Sequence, residues 1–131
     1  MSTATPSVVA PDAPSVVVYV TAPPAAAPAI ARHVVTARLA ACVNVLPGLT
    51  SVYRWEGAVE EDPESLLMIK TTRTRLEALY AAVKSVHPAQ VPEFIALPVE
   101  AGSAPYLRWL RESVAEEPVA AAGGEGEKQA Q

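Results

Sequence analysis

The sequence predicts an α/β (α+β) fold of the ferredoxin-like kind: a β-α-β-β-α-β sandwich with a long hairpin between its second and third strands and an added C-terminal helix. Three observations carry this reading. β-branched runs alternate with segments whose apolar residues recur at helical spacing. A two-residue reversal, Glu56-Gly57, joins two strand-like runs of about 13 residues each. With 131 residues in all, the chain has room for one hydrophobic core and little more.

Taken in order, Val16-Val17-Val18-Tyr19-Val20 is a β-branched and aromatic run that suits a buried first strand. Pro23 and Pro24 follow, with the fixed φ that suits the first turn of a helix, and Ile30, Val34, Ala37 and Ala41 mark that helix's apolar face. Cys42 to Arg54 and Ala58 to Thr71 form the hairpin, which should bend where Pro47-Gly48 and Asp62-Pro63 interrupt it. Leu76, Leu79, Tyr80, Val83 and Val86 make a second helix that ends at His87-Pro88, because the residue before a proline avoids the helical region. A last strand runs from Val91 to Val99, and Leu107, Leu110 and Val114 give a third helix after Gly102 and Pro105.

Residues 1–15 and 116–131 are poor in large apolar side chains, so both are expected to be disordered tails around a domain at 16–115. The formal charge of −4 sits in those tails, since the middle balances nine bases against nine acids. A balanced middle without a Lys/Arg cluster argues against a nucleic-acid partner. No apolar stretch approaches the roughly 20 residues needed to span a bilayer, so no membrane role is expected. Met1 to Asp12 lacks the basic and apolar regions of a secretory signal, and the expected location is the cytoplasm. One cysteine excludes an internal disulfide.

Each hairpin arm spans roughly 43 Å, against a radius of gyration near 13 Å for a domain of 100 residues. The excess length predicts unpaired strand edges that meet another copy of the chain. Trp55, at the hairpin tip, would be wet in a monomer, which points the same way. The other reading is a bent hairpin that curls over its own core.

The residues with chemical potential are few. Cys42 has small apolar neighbours and reads as packing, with a nucleophile as the alternative. His87-Pro88-Ala89-Gln90-Val91-Pro92-Glu93 places an imidazole and a carboxylate on a proline-stiffened loop, able to hold a divalent ion or polar ligand. Its other reading is a helix C-cap with a solvated Glu93. Glu60, Glu61, Asp62 and Glu64 read as a solvated bulge, with a cation site as the alternative. No GxGxxG, P-loop, GxSxG or HExxH pattern is present, so no enzyme chemistry is expected.

The segments AACVNVLPGLTSVYRWEG, LLMIKTT and SVHPAQVPEFIALPVEAGSAPYLRWL resemble the CutA family, over about Val16 to Val114. The resemblance implies a homotrimer of ferredoxin-like protomers built like the PII signal proteins, and an association with divalent-cation tolerance, copper especially. It implies no required cofactor, a divalent cation such as Cu²⁺ being the candidate ligand. Carried over by residue, Cys42 matches the family's hairpin cysteine, and His87 and Glu93 match its HP-x-x-VPE loop; these three are the implied metal ligands. Tyr53 and Trp55 match its Y-x-W tip, Lys70 its IKT lysine, and Tyr106 and Trp109 its terminal-helix aromatics; these five are the implied lining of an inter-subunit ligand cleft. Ala89 stands where the family often has an aromatic, and Tyr19-Val20 where some members place a cysteine. The expected function is thus a non-catalytic metal-response or ligand-sensing trimer, the alternative being a trimeric scaffold or signalling adaptor that displays its tails.

Overall fold

A computed structural model describes residues 5–116. The first long strand, Ser15–Ala22, puts Val16, Val18, Val20 and Ala22 on a buried face and leaves Val17, Tyr19 and Thr21 half-buried, the two-residue period of a strand covered on one side. Ahead of it lies a two-residue strand, so we number Val8–Val9 as β1 and Ser15–Ala22 as β2. The remaining elements are α1 (Ala27–Thr36), β3 (Cys42–Trp55), β4 (Ala58–Thr72), α2 (Leu76–Val86), β5 (Ile95–Pro98), β6 (Gly102–Ser103) and α3 (Ala104–Ser113). The main sheet is antiparallel in the order β3-β4-β2-β5, which is the predicted ferredoxin-like arrangement.

α1 differs from its predicted form at both ends. Pro23 and Pro24 build the turn before it, where the Pro23 carbonyl accepts from Ala26 and Ala27 N–H at 2.9 and 3.1 Å. Pro28 is the proline of the first helical turn, the place where a missing N–H costs nothing. Ala37 and Ala41 lie beyond the helix, because Arg38 takes φ 62° and Leu39 N–H bonds back to Val34 O at 3.0 Å. Ile30 and Val34 are buried as predicted, with Leu67 and Ile69 of β4 and Leu79 and Val83 of α2.

The hairpin turns at Glu56 (φ 49°) and Gly57 (φ 83°), two positive φ values in succession, as a tight primed turn requires. Of its two predicted interruptions only one forms. The register passes from Leu46↔Leu66 to Leu49↔Glu64, so Pro47 and Gly48 together oppose Ser65 as a bulge, with Gly48 at φ 87°. Asp62-Pro63 causes no shift: Pro63 pairs with Thr50 in register. It lies past the end of β2's pairing, where β4 has one neighbour and a missing N–H need not break a ladder bond.

The final strand is four residues, shorter than the predicted 91–99: it pairs with β2 only from Val16↔Pro98 to Tyr19↔Ile95, and Pro92, which has no N–H to give a ladder, lies ahead of it. Helices α1 and α2 cover one face of the sheet. The opposite face carries Cys42, Asn44 and Leu46 beside Lys70, Met68 and Leu66, then Val17, Tyr19 and Thr21, then Leu97 and Ile95. α3 begins at Ser103, whose hydroxyl accepts from Tyr106 N–H, and packs Leu107, Leu110 and Val114 against the rest of the chain. Pro105 is inside its first turn and not ahead of it.

The expected N-terminal tail has structure in its second half. Val8 and Val9 pair with Ser103 and Gly102, Ser7 O accepts from Ala104 N–H at 3.0 Å, and Asp12 meets Arg111 at 3.0 Å. Main-chain bonds to a fixed helix start offset the ordering cost that composition alone could not. Residues 1–4, and of the expected C-terminal tail all but Glu116, lie outside the described residues.

Candidate functional site

The loop from His87 to Glu93 and the outer half of the hairpin face each other across a cavity of about 690 Å³. Ser51, Tyr53, Trp55 and Glu64 line it from the hairpin; Thr21, His87 and the 89–93 segment line it from the other side. The loop is fixed by the sequence around it. Pro88 forces His87 into extended backbone (ψ 133°) and ends α2, Pro92 is buried, and Phe94 packs edge-on to Tyr80 with ring centroids 5.1 Å apart. Lys84 Nζ donates to the Gln90 carbonyl.

His87 spends both ring nitrogens on main chain. Nδ1 accepts from Ala89 N–H at 3.0 Å, which assigns the proton to Nε2, and Nε2 donates to the Thr21 carbonyl at 2.8 Å. The imidazole ties the loop to β2 and caps no helix carbonyl. Glu93 is exposed, yet its carboxyl is raised above 4.5, first by partial burial and then by the charge of Glu64. Tyr53 donates to Asp62, and this bond, with the surrounding carboxylates, pushes its hydroxyl up to about 12.

A second group forms at the other end of the sheet. Cys42 pairs directly with Lys70; Lys70 Nζ donates to Asn44 Oδ1, and Cys42 Sγ lies 3.9 Å from the same oxygen. Tyr106 reaches this cluster from α3, its hydroxyl raised by burial and then by Cys42, and packs against Trp109 with ring centroids 5.3 Å apart and the planes tilted by 46°. Cys42 is half-buried here, not buried as expected, since it falls on the sheet face opposite α1 and α2.

The expected site residues therefore fall into two places. Tyr53, Trp55, His87 and Glu93 share the cavity; Cys42, Lys70, Tyr106 and Trp109 do not line it. Cys42 pairs at the level of Val17, four residues along β2 and β4 from Thr21, or about 13 Å at 3.3 Å per residue. Cys42 is not brought to His87 and Glu93, and among the described residues no group of three or more His, Cys, Asp or Glu could hold a metal ion. The chain's donors do not fit a centre of the implied composition.

Glu64, Thr21 and Asn44 belong to these two groups and were not expected there. Glu64 had a signal: Glu60, Asp62 and Glu64 recur every second residue, which puts them on one strand face and not on a bulge. Thr21 contributes through its carbonyl, which no side-chain pattern announces.

A family model described as the CutA1 divalent ion tolerance protein matches residues 16–113. The human Protein CutA is 58% identical to the chain over 83 residues, 63% of this chain and 46% of that protein. The chain spans about half to two thirds of the length of the human, Xenopus laevis and rice relatives it matches. A crystal structure of CutA1 from Oryza sativa superposes with a TM-score of 0.77 at 49% identity, covering 80% of this chain and 97% of that one. A PII-like protein CutA from Nostoc sp. PCC 7120 gives 0.71 at 28% identity, covering 76% and 97%. The relatives include a rice protein named as chloroplastic and an Archaeoglobus fulgidus protein described as periplasmic. Among the described residues no helix is long and apolar enough to cross a membrane.

Proposed function

The chain belongs to the CutA1 divalent ion tolerance family, and from that membership we propose that it works as a non-catalytic response protein, a homotrimer that binds a small ligand in the cavity between hairpin tip and His87–Glu93 loop. The observation that carries the reading is that cavity, where two carboxylates and two aromatic rings converge. Trimerisation is supported by the face opposite α1 and α2, which leaves Leu46 48%, Ile95 53% and Leu97 42% exposed, and by the outer strands β3 and β5, each with one neighbour in the sheet. The ligand site, in this reading, needs no resident cofactor.

A divalent metal ion held by the chain is the literal form of the family description, with copper the expected ion, and it has little support here. Cu²⁺ favours imidazole and Cu⁺ favours sulfur donors. Both nitrogens of His87 are engaged, and Cys42 stands apart. The response to divalent cations is better placed downstream of ligand binding than in a His87–Glu93–Cys42 centre. Light scattering on the full chain should give three times the 13.7 kDa protomer mass. Thermal-shift and calorimetric titrations with small organic ligands, nucleotides, Cu²⁺ and Zn²⁺ should show a ligand whose effect Trp55→Ala removes. A monomer at micromolar concentration, or no shift with any of them, overturns the proposal.

A further inference from the structure

We infer that the cavity selects an organic cation with an apolar body, in preference to a nucleotide, another anion or a bare metal ion. This deepens the ligand-binding reading above and rests on it. Charge supplies the first argument. Among the described residues the charged side chains lining the cavity are Glu64 and Glu93. His87 brings no positive charge while Nδ1 accepts from Ala89 N–H. Arg54 alternates to the strand face opposite Tyr53 and Trp55, and Lys84, whose ammonium donates to the Gln90 carbonyl, does not line the cavity. An anion entering here would meet two carboxylates and no cationic side chain on the cavity wall.

The walls supply the second argument. Tyr53 and Trp55 sit two apart on one strand, and the bond from Tyr53 to Asp62 fixes the tyrosine ring. Aromatic faces attract ammonium groups, most strongly Trp, and Val91 and Pro92 complete an apolar lining. Size favours an organic ligand over the bare ion. The cavity of about 690 Å³ falls within the roughly 300–1,000 Å³ that accommodates organic ligands, and two carboxylates are too few to replace a divalent ion's hydration shell. The geometry agrees with the direction at Glu93, which is raised first by burial and then by Glu64, a repulsion that a cation between the two carboxylates would relieve.

The test is calorimetric titration of the full chain with benzyltrimethylammonium, its matched anion benzylphosphonate, ATP, Mg²⁺ and Zn²⁺. The expected result is binding of benzyltrimethylammonium that weakens about tenfold in Trp55→Ala and in the double variant Glu64→Gln/Glu93→Gln. Glu64→Asp/Glu93→Asp, which keeps the charge, should retain most of the affinity, and added salt should lower it. If benzylphosphonate or ATP binds at least as tightly and Trp55→Ala weakens it, the cation inference falls while the cavity reading stands. If a metal ion binds, the double Gln variant abolishes it and the organic cation does not bind, the organic part falls. No binding by any probe overturns both readings. Circular dichroism melts of each variant confirm that it is folded.

Discussion

The inner and outer halves of one hairpin, divided by the Pro47-Gly48 bulge, both carry β-branched and aliphatic strand residues, the outer half with an added run of carboxylates, and they have opposite fates. Inside the bulge, β4 lies between β3 and β2 with helices on one face, and Ser65, Leu67, Ile69 and Thr71 are buried. Outside it, the two strands have only each other, residues 58–63 are all exposed, and Val52 and Val59 are 60% and 66% exposed. A valine does not bury itself by being a strand residue; its neighbours decide. The inner half is held by its own chain, whereas the outer half is available for a ligand or another copy.

The largest effect that separates the halves is Leu67→Ala. Leu67 is fully buried among α1 and α2, and its truncation should cost about 2–5 kcal/mol in denaturant unfolding. A loss under about 1 kcal/mol would mean that the inner half is not the core. Gly48→Ala tests the divider. Its φ of 87° suits glycine, and no atom lies within 4 Å of an added Cβ, so the cost is backbone strain alone, about 1–2 kcal/mol. An unchanged midpoint would mean that the bulge reshapes at no cost.

Val59→Thr tests the outer half. In an isolated protomer it should change stability by no more than about 0.5 kcal/mol. A larger loss at high protein concentration, absent on dilution, would show that another copy covers it. The smallest effect is at Glu93. Because its folded pKa is raised, the protonated form is favoured in the native state, and stability falls as pH rises from the ordinary carboxylate value through the raised one. Glu93→Gln should melt with wild type below pH ~4 and up to ~2 °C above it near pH 7, the gap being small because the group is exposed. A reversed or flat difference would remove Glu64 and burial as the cause.

Much of this was legible from local chemistry. The order of strands and helices, the reversal at Glu56-Gly57 and the bulge at Pro47-Gly48 depend on residues within a few positions of one another. Local rules failed where two prolines competed. Pro23-Pro24 and Pro28 are both plausible helix starts, and only the bonds from Ala26 and Ala27 to Pro23 O choose between them. Asp62-Pro63 looked like a break because the sequence does not say how many neighbours a strand has.

The sequence by itself determined the element order of the four-stranded sheet and its three helices, the turn and the family, since periodicity, φ preference and motif spacing are properties of short stretches of chain. The tertiary structure alone decided that His87 is bonded to a carbonyl 66 residues away and that Cys42 stands about 13 Å along the sheet from that contact. It also decided that Val8-Val9 find a partner at Gly102-Ser103. Each of these depends on which distant backbone groups folding brings within hydrogen-bond reach, and that distance is written in no local pattern.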